Sequence, residues 1–139
     1  IPTEDLDHKI ATSKDKQLQT LTLEGQRPGT PLYMSPEAVL GNRNIDERTD
    51  IFSFGVLMYE ILTFSEPFRG ATIRHTFDNI INFSPPSMQK KAPARNIPDA
   101  LDRIVMKAIE KDPNDRYESM LDMIDDLRAT RLELLSKRQ

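Results

Sequence analysis

Groups able to carry chemistry are few in this 139-residue chain. Histidine occurs only at His8 and His75, far apart in sequence, and cysteine is absent. Cysteine-ligated metal and disulfides are therefore excluded, and no histidine-built metal or nucleophile site is expected. Both histidines are read as surface residues. What stands out is a stretch of hydroxyl residues, prolines and an acid, Gly29-Thr30-Pro31-Leu32-Tyr33-Met34-Ser35-Pro36-Glu37. Pro31 and Pro36 each follow a hydroxyl residue, and proline restricts both its own backbone and that of the residue before it. Such a loop is pinned rather than reactive.

The surroundings must explain the pinning. With 37% hydrophobic and 29% charged residues, the composition is that of one globular domain. The 19 basic and 22 acidic residues give a net charge of -3, so neither nucleic acid nor an anionic membrane is expected as a partner. The most apolar run, Ile51 to Phe64, contains Ser53, Glu60 and Thr63 and falls short of the ~20 residues that span a bilayer. No signal peptide opens the chain, and a start at Ile1 is expected of a piece of something longer. The lack of cysteine fits a reducing compartment, and a cytoplasmic location is expected.

Residues 1–28 show no sustained apolar periodicity and are expected to form a flexible loop. Ser35-Pro36-Glu37 reads as a helix start, with Ser35 as cap, Pro36 in the first turn and Glu37 at the positive end of the dipole; Gly41-Asn42 ends it. Thr49-Asp50 opens the next helix, whose apolar residues cover every face, which implies burial on all sides; a strand is the rival, but the run is long for one. Ile73, Phe77, Ile80 and Ile81 mark a further helical face. Residues 84–87 read as a loop. A helix beginning at Pro98 carries Leu101, Ile104, Val105, Ala108 and Ile109 on one stripe. After a turn at Asp112-Pro113-Asn114-Asp115, Ser119 caps a last helix with Met120, Leu121, Ile124 and Leu127 on its apolar face. The tail either continues as helix through Leu132 and Leu135 or frays. The fold class is mainly α, with about five helices and no strand.

The pinned stretch resembles the end of the activation segment of eukaryotic-like serine/threonine protein kinases, namely the P+1 loop followed by Ala-Pro-Glu, with serine in place of alanine. Three further features follow in the family's order. Asp50-Ile51-Phe52-Ser53-Phe54-Gly55 is similar to the start of the central helix of the large kinase lobe. Glu66-Pro67-Phe68 resembles the Pro-Phe after that helix, and Asp112-Pro113-Asn114-Asp115-Arg116-Tyr117 the arginine-bearing turn before the last helix. The match spans 29–128 and is most similar to bacterial members. Tyrosine kinases carry a tryptophan near the position of Tyr33, and this chain has none.

The resemblance implies a helical C-lobe of a protein kinase domain at 29–128, an activation-segment remnant at 1–28 and a C-terminal helical extension or tail at 129–139. It implies a buried ion pair between Glu37 and Arg116, an Asp50 that accepts hydrogen bonds from the catalytic loop, and a Thr30 that supports the catalytic aspartate. Gly29, Thr30, Pro31, Leu32 and Tyr33 would form the P+1 loop, Glu60 would face a substrate arginine or serve as a structural acid, and Thr20 and Thr22 would be phosphosites able to order their loop. No catalytic residue lies in the chain. Gly-x-Gly-x-x-Gly, His-Arg-Asp and Asp-Phe-Gly do not occur, so the small lobe and catalytic loop are expected upstream. ATP and Mg2+ would serve the full-length kinase, which phosphorylates Ser or Thr of a protein substrate; the fragment alone should bind neither, be inactive, and expose an apolar patch. The alternative is a pseudokinase or truncated scaffold that binds proteins without catalysis. An unrelated helical domain is a third possibility, which a missing Glu37–Arg116 contact would favour.

Overall fold

The computed structural model describes residues 30–138. Among them, no strand forms. Six α-helices follow one another: α1 (Pro36–Val39), α2 (Glu47–Thr63), α3 (Ile73–Asn82), α4 (Met88–Lys91), α5 (Asp99–Ala108) and α6 (Met120–Ser136). Single 3-10 turns occupy Thr30–Tyr33, Pro93–Arg95 and Pro113–Asp115. The expected loop at 1–28 and His8 lie outside the described residues.

The local chemistry accounts for most of these boundaries. Ser35 Oγ accepts from the Ala38 amide at 3.2 Å, and Gly41, with φ 73°, takes the left-handed conformation that closes α1. The start of α2 corrects the expected opening at Thr49-Asp50: Asp46 is the cap, its carboxylate accepting from the Arg48 amide at 2.9 Å. An acid one step before the first turn satisfies free amides that threonine at position 49 would have left open.

Helix α2 is the axis of the fold. Phe52, Val56 and Tyr59 pack with Phe68, Phe77 and Ile80 on one side, and Ile51 packs with Ile104, Ala108, Tyr117 and Met123 on the other. Each such side chain contributes about 1.5–3 kcal/mol when fully buried. Burial on all sides is not what α2 shows, however: Phe54, Leu57 and Ile61 are 38–58% exposed, and Phe64 beyond them is 78% exposed. One face of α2 is thus an uncovered apolar stripe.

Helix α4 falls beyond the expected loop and was not anticipated. Its first amide, Met88 N, donates to the buried Asp102 carboxylate at 2.8 Å, and Tyr59 Oη donates to Pro86 O at 2.9 Å just before it. A four-residue helix has little stability of its own, and here it is held by side chains from α2 and α5. The apolar face expected for α6 needs a second correction. Leu121 is 70% exposed, while Met123 and Thr130 are buried and Met120 and Leu127 are packed against the core. The inward face includes a threonine because Thr130 Oγ1 donates to Asp126 O at 2.9 Å and so buries no unpaired group. Helix α6 runs unbroken to Ser136. No helix among the described residues is long and apolar enough to cross a membrane.

Helix α2 approaches the end of α5 closely at Gly55. A Cβ on Gly55 would lie 2.7 Å from Ile109 Cγ2 and 2.8 Å from Ala108 Cβ, neither of which can swing away. Glycine inside an exposed helix normally costs about 1 kcal/mol relative to alanine. At position 55 the sign inverts: Gly55→Ala is expected to destabilise the protein by about 1–3 kcal/mol through overpacking. Denaturant titration checks this, and Ala108→Gly in the same chain should recover part of the loss.

Candidate functional site

The guanidinium of Arg116 gathers the pinned stretch, the start of α2 and the segment just after α5 around itself. Arginine offers five N–H donors in a fixed fork, and all five are used. The terminal nitrogens grip the Glu37 carboxylate as a bidentate pair, at 2.6 and 2.9 Å. The remaining donors reach Glu110 O at 2.7 Å, Arg48 O at 3.0 Å and Lys111 O at 3.1 Å. The Arg116 side chain is fully buried and that of Glu37 is 11% exposed. Burial raises the Glu37 pKa, but the Arg116 hydrogen bonds and charge, its own backbone amide and the Thr49 hydroxyl outweigh it, so the carboxyl sits below the ordinary glutamate value. Thr49 Oγ1 donates to Glu37 at 2.9 Å and lies 3.1 Å from Ser35 Oγ, tying the start of α1 to α2.

The turn Thr30–Tyr33 is fixed onto α2 in the same manner. Ser53 Oγ donates to Tyr33 O and Tyr33 Oη donates to Glu60, both at 2.5 Å. The hydrogen bond to Glu60, then burial, then the Glu60 and Glu66 charges push the Tyr33 pKa up to about 12. Glu60 is therefore already bonded within the chain. It also lines a cavity of about 730 Å³ with Ile61, Phe64, Ser65, Glu66 and Arg69, in which Arg69 pairs with Glu66. Pro31 and Leu32 are buried and border a second cavity, of about 420 Å³, whose far wall is Arg69–Thr72 with Ile73 and Thr76.

The remaining expected residues are placed less informatively. Asp50 is exposed in the first turn of α2, with no partner among the described residues. Thr20, Thr22 and Gly29 lie outside the described residues, as does the side chain of Thr30. Among the described residues, no group of three or more His, Cys, Asp or Glu gathers to hold a metal ion. The arrangement can position a chain. Sequence reasoning missed Ser53, Thr49 and Tyr33 Oη as clamps. Their hydroxyls carry no periodic signal, and only the fold brings Ser53 and Thr49 to the pinned stretch and Tyr33 Oη to Glu60.

Two consequences are measurable. Removing Glu37 leaves a buried, unpaired cation, so Glu37→Ala is expected to cost about 3–5 kcal/mol in chemical denaturation, well above the ordinary surface substitution. The depressed carboxyl also sets a pH dependence. Its contribution is fully present above the unfolded glutamate value of about 4.3 and is lost as pH falls through the lower folded value, because the unfolded state then binds the extra proton. Melting profiles should steepen their decline below that pH, and less so in Glu37→Gln.

A family model described as the protein kinase domain matches residues 9–126. The serine/threonine-protein kinase PknD of Chlamydia pneumoniae is 37% identical over 124 residues, covering 86% of this chain and 13% of that protein. PknD of Chlamydia felis is 37% identical over 112 residues, 77% of this chain and 11% of the relative. PknD of Chlamydia abortus is 39% identical over 102 residues, 72% of this chain and 10% of the relative. The chain thus spans no more than 13% of the length of these relatives. Taken with the helical architecture and the Glu37–Arg116 clamp, these matches place the chain in the protein kinase domain family, as a helical fragment of a bacterial-type serine/threonine kinase.

Proposed function

We propose that this chain is the substrate-side part of the large lobe of a serine/threonine kinase that transfers the ATP γ-phosphoryl group to protein hydroxyls. The observation that carries this is the double fixing of the turn Thr30–Tyr33, through Ser53 and Glu60 on one side and the Glu37–Arg116 pair on the other. Phosphoryl transfer depends chiefly on holding the acceptor hydroxyl in line with the phosphate. A rigid turn beside a cavity provides such a register. Gly29, Thr30, Pro31, Leu32 and Tyr33 form the P+1 loop in this reading, and the cavity bordered by Pro31 and Leu32 takes the substrate residue after the phosphoacceptor.

The other roles follow the family. Glu37 and Arg116 anchor the activation segment, Asp50 holds the catalytic loop, Thr30 supports the catalytic aspartate, and Thr20 and Thr22 are phosphorylation sites. Glu60 acts first as the acceptor that orients Tyr33, with its second oxygen left for a basic substrate residue. The chain contains no glycine-rich phosphate loop, and in this reading ATP and Mg2+ are held by other parts of the kinase. Nucleotide chemistry belongs to the rest of the kinase.

The test is phosphotransfer by the full-length protein to serine- or threonine-containing peptides. Leu32→Arg fills the proposed pocket with a charged side chain and is expected to raise the peptide KM by about tenfold or more, the equivalent of ~1.4 kcal/mol, while leaving the KM for ATP unchanged. A full-length protein that binds peptides but transfers no phosphate would turn the same lobe into a non-catalytic docking module.

A further inference from the structure

The cavity beside Pro31 and Leu32 has two walls of different construction. One is the turn clamped to α2. The other is the loop Arg69–Thr72, which leads into α3 and lies outside any helix. Backbone amides in such a loop need partners if the loop is to hold one shape. Both amides at its centre are satisfied by side chains from the first turn of α3. Gly70 N donates to Thr76 Oγ1 at 2.9 Å, and Ala71 N donates to His75 Nδ1 at 3.1 Å. Thr72 Oγ1 in turn accepts from the His75 amide at 3.0 Å, so the loop and the helix start are stitched in both directions.

The fit is tight at Gly70. A Cβ there would lie 2.4 Å from His75 Cγ and 2.6 Å from Nδ1, so the loop rests directly on the imidazole and glycine is the residue that permits it. Nδ1 is the acceptor of this contact, on the side of the ring that faces the loop. An exposed histidine with no helix face to fill thus has a specific task, which neither its position nor its type announces.

We infer that His75 is a positioning residue for the α3-side wall of this pocket, holding Gly70 and Ala71 at the distance from Leu32 that selects the substrate residue following the phosphoacceptor. This rests on the reading of the pocket given above. His75 touches no reacting atom. It acts by fixing the backbone through one acceptor and through the ring packed beside Gly70, and both properties can be removed separately.

The experiment uses the full-length kinase and a panel of otherwise identical serine peptides that differ only at the residue after the serine. His75→Phe keeps a ring and loses the acceptor; His75→Asn loses the ring and keeps an acceptor in the Nδ1 position. In His75→Phe the KM for the preferred peptide should rise about three- to tenfold, the factor that one ordinary hydrogen bond is worth. The preference across the panel should flatten, and kcat and the KM for ATP should stay near wild type. His75→Asn should restore most of the preference. Amide hydrogen exchange at Ala71 should be faster in His75→Phe and return towards wild type in His75→Asn. A clear wild-type preference left intact by His75→Phe overturns the role of His75 and spares the pocket. A wild type that phosphorylates all peptides alike overturns the reading of the pocket and, with it, the selection ascribed to His75. Unchanged Ala71 exchange in His75→Phe overturns the hydrogen bond as the holding device.

Discussion

The fold depends on one fully engaged guanidinium. Arg116 brings α1, the start of α2 and the segment after α5 together, through two carboxylate contacts and three carbonyl contacts. A buried cation is costly unless each donor is satisfied, and here the acceptors come from three parts of the chain, α1, the start of α2 and the segment after α5. Burial of Arg116 is therefore conditional on correct assembly of the whole neighbourhood. The pinned stretch inherits its rigidity from that condition more than from its prolines, which restrict the chain locally but cannot dock it.

From this centre an alternation of cations and rings crosses the core. The Arg116 guanidinium lies 4.9 Å from the Phe52 ring centroid, Phe52 stacks on Phe68 at 5.6 Å, and Lys111 Nζ lies 4.2 Å from the Phe68 ring. Lys111 then donates to Ile80 O at 2.6 Å and Asn79 O at 3.1 Å, where a cation complements the negative end of α3. Burial, and after it the charge of Arg116, lowers the Lys111 pKa to about 8. The two positive groups are thus held near one another by aromatic faces and helix-end carbonyls. The anchor of the pinned stretch and the helix that builds the far wall of the pocket share one continuous support, which runs through α2.

Much of this was legible in the sequence, and for physical reasons. Capping residues and apolar periodicity are local, so Ser35, Ser119 and the stripes of α3 and α5 could be placed from spacing alone. Glu37 and Arg116 were named from resemblance, and their meeting is a property of the fold that no local rule contains. Misplaced features had non-local causes. Helix α4 is held by Asp102 from α5, the inward face of α6 is turned by a threonine that satisfies itself, and α2 began earlier because Asp46 was a better cap than Thr49. His75 was read as a surface residue because exposure says nothing about what a ring nitrogen accepts. The apolar circumference of α2 was read correctly as composition, yet its stripe through Phe54, Leu57 and Ile61 is open to solvent.

The sequence separation of the Glu37–Arg116 pair, 79 residues, has a consequence for how the lobe comes into being. Chains are made from the amino end at about 5–20 residues per second, so Glu37 leaves the ribosome several seconds before its partner. During that interval α1 has its cap but lacks the Arg116 anchor, and the turn before it has only its partners on α2, Ser53 and Glu60. The arrival of Arg116 closes the assembly in one event, since its donors have no half-satisfied arrangement that is cheap to bury. A nascent chain halted before that residue would hold every helix of the pocket, with the turn fixed to α2 through Ser53 and Glu60 but with α1 lacking its anchor.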